Sequence, residues 1–455
     1  VSYVFVQANV TAKERFMLWF HLILLIIFVV IGSKIGGIGI GLTGGAGVLA
    51  LAATGLHTDV TKDVPWGVIG IIMPVICAIA ALQVAGGMDY LVHLTEILLR
   101  KHPRQINYLA PFVTFMLTVL CGTGHTAYSV LPVIVDVSKE NGIRPSRPLS
   151  IAVVASQLAI VASPISAATV AMVAILSPLN VGYLQILAVT IPTVFIGCMV
   201  GALVAARQGK ELADDPVYQD RLARGLVAKS AATHSGYKPK ASAIPSLIVF
   251  MIALLLAVVY ATAASKQIGL ISNPPMEASA AIMVIMLSCA AIICFVAKIP
   301  AQSIPDQSTF KAGMTASICI LGVAWLGNMF VNNYMDAIKG AGADVLQQSP
   351  WLLAVILYFA SPLLFSHAAT TVAFMPVAVK LGLSAVTLLA CYPAVSNYYL
   401  LPNYPTTVAA MEMDDTGSTR LGRTVFSHSF VLPGTVAIVV AVLLNFVWAP
   451  IVVGV

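Results

Sequence analysis

Leu120-Cys121-Gly122-Thr123-Gly124-His125-Thr126 is a small, polar knot between two apolar arms, about 106–121 and 126–138. A membrane-spanning helix needs about 20 residues, so neither arm crosses a bilayer alone. Basic residues flank the pair on both sides: Arg100, Lys101 and Arg104 before it, Lys139, Arg144 and Arg147 after it. Positive loops favour the cytoplasmic side. Both ends therefore belong on one face, and the segment is expected to be a re-entrant hairpin over about 106–138. Such backbone is tolerated at depth only inside protein or against a water-filled cavity.

A second copy follows. Ser366-His367-Ala368-Ala369-Thr370-Thr371 interrupts another short apolar stretch, about 351–380. The approach repeats too: Asp89 of Met88-Asp89 lies 14 residues before Pro103, and Asp336 of Met335-Asp336 lies 14 residues before Pro350. Asp89, His93, Glu96 and Arg100 fall at helical spacing opposite Leu91, Leu94 and Leu98, the pattern of a helix lying in the interface plane. Pro132 and Asp136 sit four apart after the first knot, as Pro376 and Lys380 do after the second. Ala168-Thr169-Val170-Ala171-Met172 resembles Thr406-Thr407-Val408-Ala409-Ala410-Met411. The pairs keep the same order in both halves, which points to duplication.

Composition sets the frame for these breaks. Of 455 residues 59% are hydrophobic and 9% charged, against about a quarter charged in soluble domains. Leu184–Ala205, Ile244–Ala263 and Val425–Trp448 each reach spanning length, and the absence of strict alternation argues against an outer-membrane barrel. Crossings are expected at about 17–33, 35–56, 66–86, 149–177, 184–205, 244–263, 276–297, 314–331, 383–411 and 425–449. The fold class is thus an all-α polytopic membrane protein with about ten transmembrane helices and two re-entrant hairpins.

The net charge of +6 sits mainly in loops, so it reports orientation and not nucleic-acid binding. Residues 1–16 form a polar N-terminal extension with no signal-peptide character; 17–206 form the first repeat, 207–243 a linker and 244–455 the second repeat. The linker holds Arg207, Lys210, Arg221, Arg224, Lys229, Lys238 and Lys240, which places it in the cytoplasm. Five crossings and one hairpin per half then invert the second half, bring its hairpin in from outside and leave both termini periplasmic. The seven cysteines are scattered through apolar segments without metal spacing and read as buried thiols.

Each half carries a further break. Ala162-Ser163-Pro164-Ile165-Ser166 interrupts the 149–177 crossing, where proline removes a backbone donor; Ser396-Asn397 through Pro402-Asn403-Tyr404-Pro405-Thr406 interrupts 383–411. Four interruptions can converge near the midplane, as in carriers built from repeats. They expose helix N-termini near Thr126, Ile165, Ala369 and Thr406, where free amides and the dipole favour an anion. No carboxylate lies in the four knots, which disfavours a cationic solute. The candidate binding residues are Gly122, Thr123, Gly124, His125, Thr126, Ser163, Pro164, Ser166, Ser366, His367, Thr370, Asn403, Pro405 and Thr406. The bland alternative is that these small and hydroxylated residues only pack helices. His125 and His367 could donate to a carboxylate or carry a coupled proton.

Other classes fare worse. None of the eight histidines lies four residues from another, so an H-E-x-x-H zinc enzyme is disfavoured. No phosphate-binding G-x-x-x-x-G-K-[ST] run occurs, which speaks against direct ATP coupling. No cofactor is expected; a coupling ion, sodium or a proton, stays open, as does another organic anion as substrate.

Lys34-Ile35-Gly36-Gly37-Ile38-Gly39, Leu120 to His125, Asn141-Gly142-Ile143-Arg144-Pro145-Ser146-Arg147-Pro148, and Gly417-Ser418-Thr419-Arg420-Leu421-Gly422-Arg423 through Ser427-His428-Ser429-Phe430 together resemble the Dcu family of anaerobic C4-dicarboxylate carriers. The resemblance runs from about residue 17 to 455 in consistent order. It implies antiport in the bacterial inner membrane, with fumarate, malate or aspartate entering and succinate leaving during anaerobic respiration on fumarate. It also implies kinship with the ion-transporter superfamily, an elevator motion of paired hairpins and a homodimer. Apart from the resemblance, a sensor or accessory partner is a further class of reading, for which the Arg207–Lys240 loop could supply contacts, although that loop also reads as a solvated linker.

Overall fold

The structure is a computed structural model that describes residues 12–35, 38–227, 238–264, 270, 271, 273–335, 337, 345–364, 366–401, 404–420, 422–424 and 426–454. Regular structure among these residues is helical throughout. Among the described residues six stretches are long and apolar enough to cross a bilayer unaided: Ser146–Leu179, Tyr183–Ala205, Ala243–Ala263, Ala280–Ala297, Thr309–Asn333 and Val431–Val453. Ile69–Val84 and Gly87–Lys101 make a seventh only if joined across a 67° bend. Phe16–Gly32, Gly39–Ala53, Leu352–Leu364 and Ala385–Ser396 are apolar but shorter. The chain is an all-α polytopic membrane protein.

In chain order the first half holds α1 (Ala12–Ile35), α2 (Gly39–Ala53), α3 (Val60–Asp63), α4 (Trp66–Val84), α5 (Gly87–Lys101), α6 (Ile106–Cys121) and α7 (Leu131–Glu140). It ends with α8 (Ser146–Leu158), α9 (Ala167–Leu176) and α10 (Tyr183–Ala205). The linker carries α11 (Pro216–Ala223). The second half holds α12 (Ala243–Ala263), α13 (Ala278–Ala297), α14 (Ser308–Asn333), α15 (Leu352–Leu364) and α16 (His367–Lys380). It ends with α17 (Ala385–Cys391), α18 (Pro405–Met413) and α19 (Val431–Val453).

Two groups of helices emerge from the packing. In a frame group, α2 packs on α14 and α4 on α13, while α1 covers α2 and α12 covers α13. Lipid gives helices no hydrophobic reason to associate, so close van der Waals approach must hold them. Glycines provide it: a Cβ on Gly322 would meet the Gly41 carbonyl oxygen at 1.9 Å, and one on Gly41 the Ile318 carbonyl oxygen at 2.2 Å. In a core group, α10 lies along α19, α6 packs on α8, and α15 packs on the 3₁₀ turn Tyr392–Ser396 that extends α17. Most of the fully buried apolar side chains of the core group form one continuous cluster.

The sequence breaks become breaks in helices. Gly122, at φ +70°, ends α6 in the left-handed region, and its amide bonds the Thr118 carbonyl at 2.8 Å; glycine bears this conformation without strain. The expected helical arm from 126 starts later. Gly124–Ser129 forms a 3₁₀ turn and α7 begins only at Leu131, where Pro132 sits in the first turn and its missing N–H costs nothing. Between α8 and α9 the chain is extended at Ser163 and Ser166. Between the Tyr392–Ser396 turn and α18 no helix is assigned, and Pro402 and Asn403 fall outside the described residues.

The interfacial arm expected after Met88 is α5, bent away from α4 and carrying a Glu96–Arg100 pair at 3.1 Å. Its second copy is described only in part, with residues 345–348 helical and Asp336 outside the described residues. α1 starts at Ala12, so the helix of the first expected crossing, about 17–33, begins within the N-terminal extension. The thiols of Cys121, Cys198, Cys289, Cys319 and Cys391 are buried, and those of Cys77 and Cys294 partly so. The linker is clasped to α8: Arg144 pairs with Asp215, and Arg147 with Glu211 at 2.9 Å.

Candidate functional site

A cavity of about 290 Å³ lies where the core group faces the frame. All four interruptions reach it. Gly122, Thr123 and His125 come from the break between α6 and α7, and Ser366, His367 and Ala368 from the break between α15 and α16. Ala167 and Ala168 open α9, and Tyr404 and Pro405 open α18. The opposite wall is apolar, with Ile72, Val75, Ile76 and Ile79 of α4; Thr309, Gly313, Thr315 and Cys319 of α14 close it. Its lining includes no Asp, Glu, Lys or Arg.

The polar wall is built from helix starts. Ser366 caps α16, its hydroxyl accepting the Ala369 amide at 3.2 Å. Ser166 caps α9, accepting the Thr169 amide at 3.1 Å and donating to the Ile160 carbonyl at 2.5 Å. Thr123 accepts the His125 amide at 3.3 Å. The first amides of a helix have no intrahelical partner, so α9 and α16 present donors to the cavity. Pro405 removes one such donor from α18.

Aromatic rings join the two tips. His125 lies nearly parallel to Tyr128 (centroids 5.8 Å, 6°) and to Tyr404 (6.5 Å, 8°). Tyr404 meets Tyr398 at 4.9 Å, and Tyr398 meets His367 at 4.3 Å. His367 Nε2 is buried with no hydrogen-bond partner in the protein.

The sequence-derived candidates thus divide. Gly122, Thr123, His125, Ser366, His367 and Pro405 line the cavity. The others described stand behind it. Gly124 packs on α8, where a Cβ would meet the Ser156 carbonyl oxygen at 3.0 Å. Thr126 donates to the Thr123 carbonyl at 3.1 Å, and Ser163 donates to the Val119 carbonyl at 2.8 Å, tying the break to the first hairpin. The Pro164 carbonyl accepts from the Tyr183 hydroxyl. Thr370 bonds the Ser366 carbonyl at 3.0 Å and the Tyr398 hydroxyl at 3.2 Å. Thr406 accepts from Gln157 Nε2 at 3.2 Å. Asn403 lies outside the described residues.

Tyr398, Tyr404 and Gln157 are absent from the sequence-derived set. Tyr404 was in view beside Pro405, but an aromatic in a membrane protein usually reads as packing or an interface anchor. Gln157 sits inside an apolar helix, and its partners Thr406 and Thr407 are about 250 residues away, so only the fold brings them together.

A second polar pocket lies at the far end of α16, lined by His57, Thr58, Asp59, Lys62, Asp63, Asn332, Asn333 and Lys380. Asp59 caps α3; bonds from the Thr61 side chain and from Lys62 hold its carboxyl below the usual range, at about 2. Buried Asp63 accepts from Thr58 at 2.9 Å, the Asp59 amide at 2.8 Å and Asn332 Nδ2 at 2.6 Å. Among the described residues no group of three or more His, Cys, Asp or Glu is placed to hold a metal.

Comparison with known proteins places this architecture. Residues 17–453 match the family model described as anaerobic C4-dicarboxylate membrane transporter, DcuA_DcuB. The C4-dicarboxylate transporter DcuA of Wolinella succinogenes is 52% identical over 436 residues, covering 96% of this chain and 100% of that protein. DcuA of Escherichia coli K12 is 48% identical over 432 residues, covering 95% and 99%. The anaerobic C4-dicarboxylate transporter DcuB of an Escherichia coli O6:H1 strain is 34% identical over 439 residues, covering 94% and 98%. Among solved structures, the YdaH transporter of Alcanivorax borkumensis superposes with a TM-score of 0.56 at 14% identity, covering 95% of this chain and 97% of that one. MtrF of Neisseria gonorrhoeae, described among antimetabolite efflux pumps, gives 0.54 at 14%, covering 95% and 94%. At that identity the two structures speak for the fold alone. The sequence matches speak for more: this chain is a multi-pass membrane transporter, not an enzyme, and belongs to the anaerobic C4-dicarboxylate transporter family.

Proposed function

We propose that the chain exchanges C4-dicarboxylates, with fumarate, malate or aspartate entering and succinate leaving, across the bacterial inner membrane by alternating access. The observation that carries this is the meeting of both hairpin tips and both broken-helix starts in one cavity free of charged side chains. A dianion there finds amide donors at the starts of α9 and α16 and the His367 side chain in the cavity wall. The volume sits at the small end of ligand cavities, in keeping with a four-carbon solute. The curated relatives are named for C4-dicarboxylates.

The same reading takes the halves as an inverted repeat with re-entrant hairpins. Its support is that the packing pairs exchange when the halves are exchanged: α2 on α14 becomes α13 on α4, and α1 on α2 becomes α12 on α13. α16 packs on α9, as α7 and the Gly124–Ser129 turn pack on α18. The core group would move as an elevator against the frame, carrying the cavity's polar wall past its apolar one. The linker would lie in the cytoplasm with both termini outside it. A homodimer rests on the family resemblance, and a sensor contact on the charged linker.

Counterflow tests the reading. Proteoliposomes loaded with succinate should accumulate radiolabelled fumarate well above empty vesicles. No uptake by folded, reconstituted protein would sink it.

A further inference from the structure

We propose that Gln157 is a positioning residue of the cavity, a joint through which the first repeat holds the second repeat's half of the polar wall in place. The inference rests on the proposed function and assigns a role to a residue that does not itself line the cavity.

Gln157 lies wholly buried in α8. Its Nε2 donates to Oγ1 of Thr406 and Oγ1 of Thr407, each at 3.2 Å. Both threonines are fully buried in the first turn of α18, directly after Tyr404 and Pro405 of the cavity wall. One residue of the first half therefore holds the start of α18, the piece of the second half that brings Tyr404 and Pro405 to the cavity.

The chemistry of the link is not incidental to packing. Threonine hydroxyls in helices can satisfy themselves on nearby backbone carbonyls, so the pair does not need a glutamine. A residue chosen only to fill this space would be apolar, since the Gln157 Oε1 is left buried without a partner, which is costly. Reversing the amide keeps the cross-link, because a hydroxyl both donates and accepts. What the amide supplies is a fixed separation between α8 and the start of α18, and with it the placement of Tyr404 against His125.

Purified protein tests this through succinate affinity, exchange kinetics and thermal stability measured together. Gln157→Leu is expected to weaken succinate binding about tenfold, with KM for exchange rising in parallel and the maximal rate retained. The double variant Thr406→Val/Thr407→Val should lose a similar factor, and adding Gln157→Leu to it should lose little more, because all three changes remove one link. Gln157→Asn, which keeps a neutral amide donor one carbon shorter, should lose less affinity than Gln157→Leu; it also serves if Gln157→Leu fails to fold. Unchanged affinity in folded Gln157→Leu overturns the assignment, as do losses that multiply to about a hundredfold in the combined variant. A wild-type protein that binds neither succinate nor fumarate would sink the proposed function itself, and this inference with it.

Discussion

His367 and Tyr398 lie with ring centroids 4.3 Å apart and planes tilted by 42°. The contact joins the second hairpin tip to the loop of the second broken helix, and Tyr404 carries it on to His125 at the first tip. The two histidines that stand at matching places in the two halves are thus coupled through tyrosines of one half only.

Tyr398 separates ring from hydroxyl. Tyr398→Phe loses the 3.2 Å bond to Thr370 but keeps both ring contacts, whereas Tyr398→Ala loses the rings as well. Aromatic pairs are worth about 0.5–1.5 kcal/mol each beyond burial. Tyr398→Ala should therefore raise the KM for fumarate counterflow by about tenfold or more, and Tyr398→Phe by about threefold or less. Equal effects would assign the role to the hydroxyl.

His367 lines the cavity, and its Nε2 has no hydrogen-bond partner within the protein. A hydrogen bond to a charged group contributes about 1.5–3 kcal/mol. His367→Phe, which preserves an aromatic ring against Tyr398, should weaken dicarboxylate binding on the order of 10- to 100-fold with little change in thermal stability. If binding stays intact while stability falls, the imidazole serves packing and not the anion.

The contrast between these residues and their supports explains what could be read in advance. Gly122-Thr123-Gly124-His125 and Ser366-His367 announce themselves because polar, small residues interrupt apolar runs too short to span. Position along the chain cannot tell a residue that faces the cavity from one that turns away. Ser163 and Thr126 are the same residue types in the same knots, yet their hydroxyls are spent on the Val119 and Thr123 carbonyls. Gln157 and Tyr398 gain their meaning only from partners in other segments. The number of crossings is likewise not settled by length: α2, α15 and the Ala385–Ser396 stretch are short, and hydropathy alone does not show whether a short apolar helix spans.

Lys380 at the end of α16 donates to Asn332 Oδ1 at 2.5 Å, and Asn332 Nδ2 donates to buried Asp63 at 2.6 Å. This chain of bonds ties the end of α16 to α14 and to the end of α3. If the core moves against the frame, the tie must break. A partly exposed bond of this kind contributes about 0.5–1.5 kcal/mol, so Lys380→Met should speed succinate–fumarate exchange about two- to tenfold while leaving dicarboxylate affinity unchanged. Slower exchange would show that the lysine serves the carried anion or the moving state instead.

Glycine at 322 is required by the frame. A Cβ there would strike the Gly41 backbone at 1.9 Å, whereas one on Gly327 in the same helix meets nothing within 4 Å. Overpacking costs about 1–3 kcal/mol, and an unhindered helical Gly→Ala change stabilises by about 0.5–1 kcal/mol. Gly322→Ala should lower the melting temperature in detergent, and Gly327→Ala should hold or raise it. The same response from both would remove the glycine seam as the basis of the α2–α14 contact.

Asp414, buried just past α18, holds the turn that follows. Its carboxylate accepts the Thr416 hydroxyl at 2.5 Å, the Ser418 hydroxyl at 2.8 Å, and the Thr419 amide and hydroxyl at 2.8 and 2.9 Å. Ser418 in turn accepts the Ser146 amide at 2.9 Å, so the turn also secures the start of α8. Asp415 next to it pairs with Lys139 at 3.0 Å in a more open setting. Removing the acceptor from several buried donors at once costs on the order of 3 kcal/mol or more, whereas a partly exposed ion pair contributes about 1 kcal/mol or less. Asp414→Ala should therefore lower thermal stability and folded yield far more than Asp415→Ala, although the two differ by one position. Because α8 carries Gln157, the loss at Asp414 should reach the cavity and weaken succinate binding in whatever fraction remains folded. An Asp415→Ala protein as damaged as Asp414→Ala would shift the weight from this buried hydrogen-bonded turn to the Lys139 ion pair.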